Sequence, residues 1–272
     1  MRAAFFDVDK TVIAKASIPA FGRPLYRGGL INRRVIARAL VSHIIYLHLG
    51  ASEQKLERLR DSMLTLIKGW DHDQIKEIVR EAFVETVEPI IYAEALDLIE
   101  AHRAAGYKVY LVSASPDVIV QPLAEHLGVD GAIASRPLVG DDGRYTGEME
   151  FYSYGPFKAE AMRALAEAKD LDLAESSAYS DSYTDLPMLE AVGHPVAVNP
   201  DRVLAKVARE HEWEVMQFTK PVRLRDRVSV PSLPVTVSVA GITAATSVCA
   251  LMAWRIHHGR QPTRGLHRAR LQ

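Results

Sequence analysis

The sequence predicts an α/β protein: a doubly wound, mostly parallel sheet with a helical block inserted after its first strand and an apolar segment near the C-terminus. Three observations carry this. A short apolar run over 3–8 ends in acids, as a buried strand does. Residues 14–89 then have a helical texture. From residue 90 onward, helix and strand patterns alternate, which means βαβ units and a parallel sheet. The 272 residues are 48% hydrophobic and 25% charged, an ordinary globular balance for one large domain or two small ones. That composition excludes wholesale disorder, a collagen-like repeat and a polytopic membrane protein.

The elements follow in order. After the strand at 3–8, the insert has a long, mostly apolar helix over 32–49. Ser52 can cap the next helix, in which Lys55, Leu56, Leu59, Met63, Leu66 and Ile67 lie near 3.6 spacing. Asp71 or Asp73 can cap another, with Ile75, Ile78, Val79, Ala82 and Phe83 on one face. Helices are expected at 92–105, 117–127, 157–169, 184–192 and 202–210. Strands are expected at 107–112, 132–135, 177–180, 196–198 and 213–216. A hairpin of 136–139 with 144–151 turns at Asp141-Asp142-Gly143, read as a turn and not as a metal site.

Charge is unevenly distributed. The whole chain has a net charge of −1, but residues 221–272 carry eight arginines against the single acid Asp226, a net +7. The first 220 residues therefore carry −8. Such asymmetry gives the tail a separate role. Residues 235–254 contain no charge, end in Trp254, and follow Pro231 and Pro234. We read 221–234 as a linker, 235–254 as a membrane-associated helix and 255–272 as a basic tail suited to an anionic lipid surface. The alternative is a strand or helix packed on the body, because Val-Thr-Val-Ser-Val alternates. Cys249 alone forms no intrachain disulfide, so a reducing compartment is expected. The N-terminus meets an acid at once and lacks a signal-peptide core, which predicts a cytoplasmic catalytic domain attached to the membrane by the C-terminal segment. Nucleic acid is not an expected partner, and the sequence sets no oligomeric state.

In a parallel sheet, ligands sit beyond the carboxyl ends of the strands. Those positions hold Asp7, Asp9 and Thr11, then Ser113, then Asp181 and Asp185, with Lys158 at the start of a helix. Acids brought together repel unless a cation offsets them, and oxygen ligands of this kind suit Mg2+. Lys158 and Ser113 would supply a cation and a hydroxyl for phosphate oxygens. A carboxylate can attack phosphorus, and a second one can protonate the leaving oxygen.

Asp7-Val8-Asp9-Lys10-Thr11 resembles the DxDxT motif of the haloacid dehalogenase superfamily. Val112-Ser113-Ala114-Ser115 is similar to its second motif, Lys158 to its third, and Asp181-Ser182-Tyr183-Thr184-Asp185 to its fourth. The four occur in order, and the resemblance covers roughly residues 3–216. The helical insert resembles the cap of the phosphoserine phosphatase branch, subfamily IB. The resemblance implies a Rossmann-like core of 1–13 and 90–220 with a C1-type cap at 14–89. It implies Asp7 as nucleophile and metal ligand, and Asp9 as general acid/base with its carbonyl on the metal. It implies that Thr11 positions the loop and its acid/base beside the phosphate. Ser113, the Ala114 amide and Lys158 would hold phosphate. Asp181 would bind Mg2+ directly, and Asp185 would support the metal or its waters.

The sequence also departs from that branch. Phosphoserine phosphatases usually carry Glu where this chain has Ala16, a Gly pair at Ala114-Ser115 and Asn at Thr184. These changes weigh against phosphoserine and leave the phosphate machinery intact. The run 21–27 resembles bacterial relatives of unassigned substrate. Arg23, Arg27, Arg33 and Arg34 read as a solvated face, with a second anionic group of the substrate as the alternative. His43 and His48 read as core or rim residues. The expected function is a Mg2+-dependent phosphatase acting through an aspartyl-phosphate on a phosphorylated small molecule or a lipid phosphate. A phosphotransferase using the same intermediate and a membrane-tethered scaffold with an inert site are the alternatives.

Overall fold

The computed structural model describes residues 1–32 and 53–221. The expected helix over 32–49 lies almost wholly outside these residues. So do Arg33, Arg34, His43, His48, the cap at Ser52, the linker, the uncharged segment and the basic tail. Among the described residues, no helix is long and apolar enough to cross a membrane.

Among the described residues the sheet has seven strands: β1 (Ala3–Asp7), β2 (Lys108–Pro116), β3 (Gly131–Val139), β4 (Tyr145–Phe151), β5 (Ser177–Ser180), β6 (His194–Val198) and β7 (Glu214–Met216). Their order is β4-β3-β2-β1-β5-β6-β7. Every pairing is parallel except β3 with β4. All five residues of β1 are buried because helices cover both faces of a parallel sheet. Its alternate side chains feed two cores. Ala4 and Phe6 enter one, where Phe6 stacks on Tyr179 at 4.4 Å. Ala3 and Phe5 enter the other, where Phe5 stacks on Tyr110 at 5.7 Å. The chain leaves β1 for β2 on one side and later returns to β5 on the other. The carboxyl end of β1 is therefore the switch point, the place where open parallel sheets bind ligands.

Between β1 and β2 the described insert contains α1 (Ser17–Ala20), α2 (Gly22–Arg27), α3 (Glu53–Ile67), α4 (His72–Thr86) and a 3-10 turn, Glu88–Ile90. Asp71 caps α4 by accepting the Gln74 N–H at 3.0 Å. Ile75, Val79 and Phe83 of α4 are buried in the same core as Val12 and Ile13. The insert and the sheet thus share one apolar cluster. Its two connections are laced together: Ala14 N–H donates to the Ile90 carbonyl at 2.7 Å, and Tyr92 N–H to the Val12 carbonyl at 2.9 Å.

The remaining α-helices among the described residues are α5 (Ala93–Ala104), α6 (Asp117–Leu127), α7 (Pro156–Lys169), α8 (Leu186–Leu189) and α9 (Arg202–Glu210). Three sequence expectations need correction. The strand at 107–112 continues through Pro116, with a bulge after Ser113 that adds the polar residues Ser113 and Ser115 to β2. The separate strands 132–135 and 136–139 are one, β3. Its first half pairs with β2 and its second with β4, so Pro137 lies where only one neighbour needs hydrogen bonds. The helix at 184–192 shrinks to a 3-10 turn, Tyr183–Asp185, and α8. The chain after α8 tightens into i→i−3 bonds, Ala191 to Met188 and Val192 to Leu189.

Gly193 then passes tightly against another backbone segment, its N–H donating to the Leu173 carbonyl at 2.9 Å. A Cβ there would overlap the Ala174 carbonyl oxygen, which is backbone and has little room to yield. Gly193→Ala should lower the urea midpoint by the equivalent of about 1–3 kcal/mol or more. An unchanged midpoint would contradict this packing.

Candidate active site

Asp7 ends β1, and the chain turns sharply behind it. The N–H groups of Thr11, Val12 and Ile13 converge on the Val8 carbonyl at 3.3, 2.9 and 3.0 Å. Lys10 adopts φ 65°, a left-handed conformation uncommon for a residue with a Cβ. This wrap sends the chain into the insert and keeps Asp7 and Asp9 at the same sheet edge. The bulge in β2 supplies Ser113 and Ser115. Lys158 lies in the first turn of α7, which starts at Pro156. Asp181 follows β5, and Asp185 closes the 3-10 turn, where Ser182 Oγ accepts the Thr184 N–H at 3.3 Å.

At the centre is a buried charge cluster. Lys158 Nζ donates to Asp7 Oδ1 at 2.6 Å and to Asp185 Oδ2 at 2.8 Å. Ser180 Oγ donates to the same Asp185 oxygen at 2.7 Å. Lys158, Asp7 and Asp185 are only 2%, 5% and 3% exposed. Burial opposes the charge of Lys158, but Asp185 and Asp7 outweigh it and hold the ammonium above its usual range. Lys158 nevertheless faces an excess of acid. Burial first, and Asp185 and Asp181 after it, hold Asp7 well above the usual carboxylate range despite Lys158. Asp181 is pushed up to about 6, chiefly by burial, with Asp185 and Asp201 adding to the rise and Lys10 and Lys158 opposing it.

Asp9 has separate partners. Its Oδ1 accepts the Ser17 N–H at 2.7 Å, and its Oδ2 accepts from Ser115 Oγ at 2.9 Å. The Ser17 and Ser115 hydroxyls lie 2.7 Å apart, and Ser113 Oγ accepts the Ser115 N–H at 3.1 Å. The Ala114 carbonyl accepts from Ser135 Oγ at 2.7 Å. Thr11, expected to position the acid/base, is fully buried, and its Oγ1 has no hydrogen-bond partner among the described residues. The hydrogen bonds on Asp9 come from Ser17 and Ser115 instead.

The structure therefore joins Asp7, Lys158 and Asp185 by hydrogen bonds and couples Asp181 to them electrostatically. It places Asp9, Ser113, Ala114 and Ser115 in an adjoining set. Sequence reasoning missed Ser17, Ser180 and Asp201, whose carboxylate accepts the Tyr183 N–H at 2.8 Å. The only advance signal was at Ser115, where the branch usually has glycine. Arg23 and Arg27 line a cleft of about 250 Å³ with Lys15 and Glu85. Asp141–Asp142 forms the expected turn, with Asp142 Oδ1 accepting the Arg144 N–H at 3.1 Å.

Among the described residues, no three His, Cys, Asp or Glu side chains close around a metal position. In the charge cluster, Lys158 bridges two of the carboxylates. The donor set still fits a hard divalent cation. Its ligands are oxygens, and the carboxylates raise one another's proton affinity, so added positive charge relieves a repulsion that Lys158 only partly offsets.

Comparison with known proteins agrees with this geometry. The profile of the haloacid dehalogenase-like hydrolase family matches residues 4–190. A Streptomyces azureus protein named "Inhibition of morphological differentiation protein" is 49% identical over 253 residues, covering 92% of this chain and 91% of its own. A Mycobacterium tuberculosis protein named as a probable phosphatase is 47% identical over 251 residues, covering 92% and 86%. A solved phosphoserine phosphatase, described as a phospho-aspartyl intermediate analogue, shares the fold with a TM-score of 0.55 at 21% identity, over 83% of this chain and 96% of its own.

Proposed function

The chain belongs to the haloacid dehalogenase-like hydrolase family, and from that premise we propose that it is a Mg2+-dependent phosphatase that hydrolyses a small phosphomonoester through an aspartyl-phosphate on Asp7. The observation that carries this reading is the split of two acids at one strand end. Asp7 is buried and bound to Lys158, while Asp9 is held apart by hydroxyl and amide donors. The two carboxylates have different environments, as different roles require.

In the first step an Asp7 carboxylate oxygen attacks phosphorus and the ester oxygen departs, taking a proton from Asp9. Lys158, the Ser113 hydroxyl and the Ala114 N–H hold the phosphate oxygens, with Thr11 beside them. In the second step water attacks phosphorus, Asp9 takes its proton, and Asp7 leaves as a carboxylate. Asp7, Asp181, Asp185 and the Asp9 carbonyl would hold Mg2+, which when bound neutralises phosphate and carboxylate charge. Residues 14–89 serve as the cap over a core of 1–13 and 90–220, limiting water during the first step. Ala16 offers no charge to a substrate ammonium, so the favoured substrate is a phosphomonoester other than phosphoserine.

The test is phosphate release by the purified full chain from a panel of small phosphomonoesters. Release with Mg2+ that stops with EDTA is expected, and no release from any ester would contradict the proposal. Metal binding has a readout without turnover. Asp181 has a raised folded-state pKa of about 6 against an ordinary 3.8. Its contribution to metal-free stability is therefore present below about 3.8 and lost as pH rises through about 6. The ionised form that a cation needs prevails only above that. Mg2+ should raise Tm clearly at pH 7.5, with apparent affinity roughly tenfold weaker one unit below the Asp181 pKa. An equal shift at pH 5 and pH 7.5 would contradict competition between protons and Mg2+ for these carboxylates.

A further inference from the structure

Asp9 is gripped from two sides by residues that the four motifs give no role. Ser115 belongs to β2 of the core, and Ser17 is the first residue of α1 in the insert. They are 2% and 1% exposed, so water does not compete for their hydrogen bonds. The Ser17 N–H occupies one lone pair of Asp9 Oδ1 at 2.7 Å, and the Ser115 hydroxyl occupies one of Oδ2 at 2.9 Å. A carboxylate has about four acceptor sites, so a lone pair on each oxygen stays open for a travelling proton. Two contacts on two different oxygens fix the carboxylate plane, which one contact would let swivel.

The second hydroxyl extends the grip. Ser17 Oγ and Ser115 Oγ are 2.7 Å apart, and a hydroxyl both donates and accepts. Ser17 Oγ can donate to Ser115 Oγ while Ser115 donates to Asp9, which keeps the Ser115 proton aimed at the carboxylate. The Ser115 N–H donating to Ser113 Oγ at 3.1 Å ties the same residue to the candidate phosphate-binding serine. Glycine, usual at Ser115 in the phosphoserine phosphatase branch, offers no side chain for any of this.

We propose that Ser115 and Ser17 are positioning residues that orient Asp9 for proton transfer to the leaving oxygen, Ser115 directly and Ser17 through both its N–H and its hydroxyl. The inference rests on the phosphatase reading above and adds two residues to it. Its consequence is selective. An alkoxide leaving group needs the proton of Asp9, whereas p-nitrophenolate leaves without one.

The experiment compares kcat/KM of the full-length Ser115→Ala chain on an alkyl phosphate and on p-nitrophenyl phosphate, since kcat/KM reports events up to leaving-group departure. On the alkyl phosphate we expect a loss of about 10–100-fold, part of the roughly 10²–10⁴ that general acid–base catalysis supplies. That loss should fall in kcat, with KM within about twofold. On p-nitrophenyl phosphate the change should stay within about threefold, because the acid contributes little there. Ser115→Thr, which keeps the hydroxyl, should recover most alkyl phosphate turnover. Should Ser115→Ala fail to fold, Ser17→Ala carries the same comparison with a smaller selective loss. Equal losses on both substrates, or no loss on either, would overturn the positioning role while leaving the phosphatase intact. A wild-type chain inactive on both would overturn the phosphatase reading, and this inference with it.

Discussion

Asp7→Asn should reduce phosphate release by on the order of 10⁴-fold, because the amide is no nucleophile and forms no acyl phosphate. The folded state should survive. Asp7 is buried and its charged form is held at a cost, so a neutral side chain of the same shape relieves desolvation. Lys158 keeps Asp185 as its partner at 2.8 Å. Turnover and Tm measured on the same preparation separate the two effects. Lost turnover with an unchanged or raised Tm is expected. Turnover within about tenfold of wild type would remove Asp7 from the nucleophile role.

Lys158→Ala should damage both stability and rate. The substitution leaves Asp7 and Asp185 buried without the ammonium that both now contact. Breaking a buried pair by removing one partner costs about 3–5 kcal/mol, far more than an exposed pair such as Arg80 with Glu77. The loss of a cation at the phosphate should also lower kcat by roughly 10²–10³-fold. Urea denaturation in EDTA at neutral pH reads the first effect. Combining Lys158→Met with Asp7→Asn and Asp185→Asn should restore much of the stability, since no unpaired charge then remains buried. A Lys158→Ala loss below about 1 kcal/mol would mean that the cluster is solvated and the pairing weak.

The sequence disclosed the framework where local chemistry speaks alone. The expected bounds of α6, β5 and α9 match those observed, because Pro, Gly or Asp residues punctuate them: Gly128 is left-handed after α6, and Asp201 caps α9. Asp71 was legible as a cap for the same reason. The course of β2 beyond Val112 was not legible, since Ser-Ala-Ser-Pro lacks the apolar signal of a strand and is held there by β3. The junction at 135–136 was likewise not legible, since the expected strands 132–135 and 136–139 are one strand, β3.

At the site, the motifs point to Asp7, Lys158 and Asp185, which hydrogen bonds join in the structure. The grip on Asp9 was hidden. Ser17 and Ser115 stand 98 positions apart, and isolated hydroxyls carry no periodicity.

The most direct test of the central claim is to quench the wild-type chain during turnover with Mg2+ and a phosphomonoester, reduce the acyl phosphate with borohydride, and locate the modified residue by mass spectrometry. The account predicts modification at Asp7, absent from Asp7→Asn and, with p-nitrophenyl phosphate, whose leaving group needs no proton, enriched in Asp9→Asn, which slows the water step. Rapid phosphate release with no modification at Asp7 would contradict it.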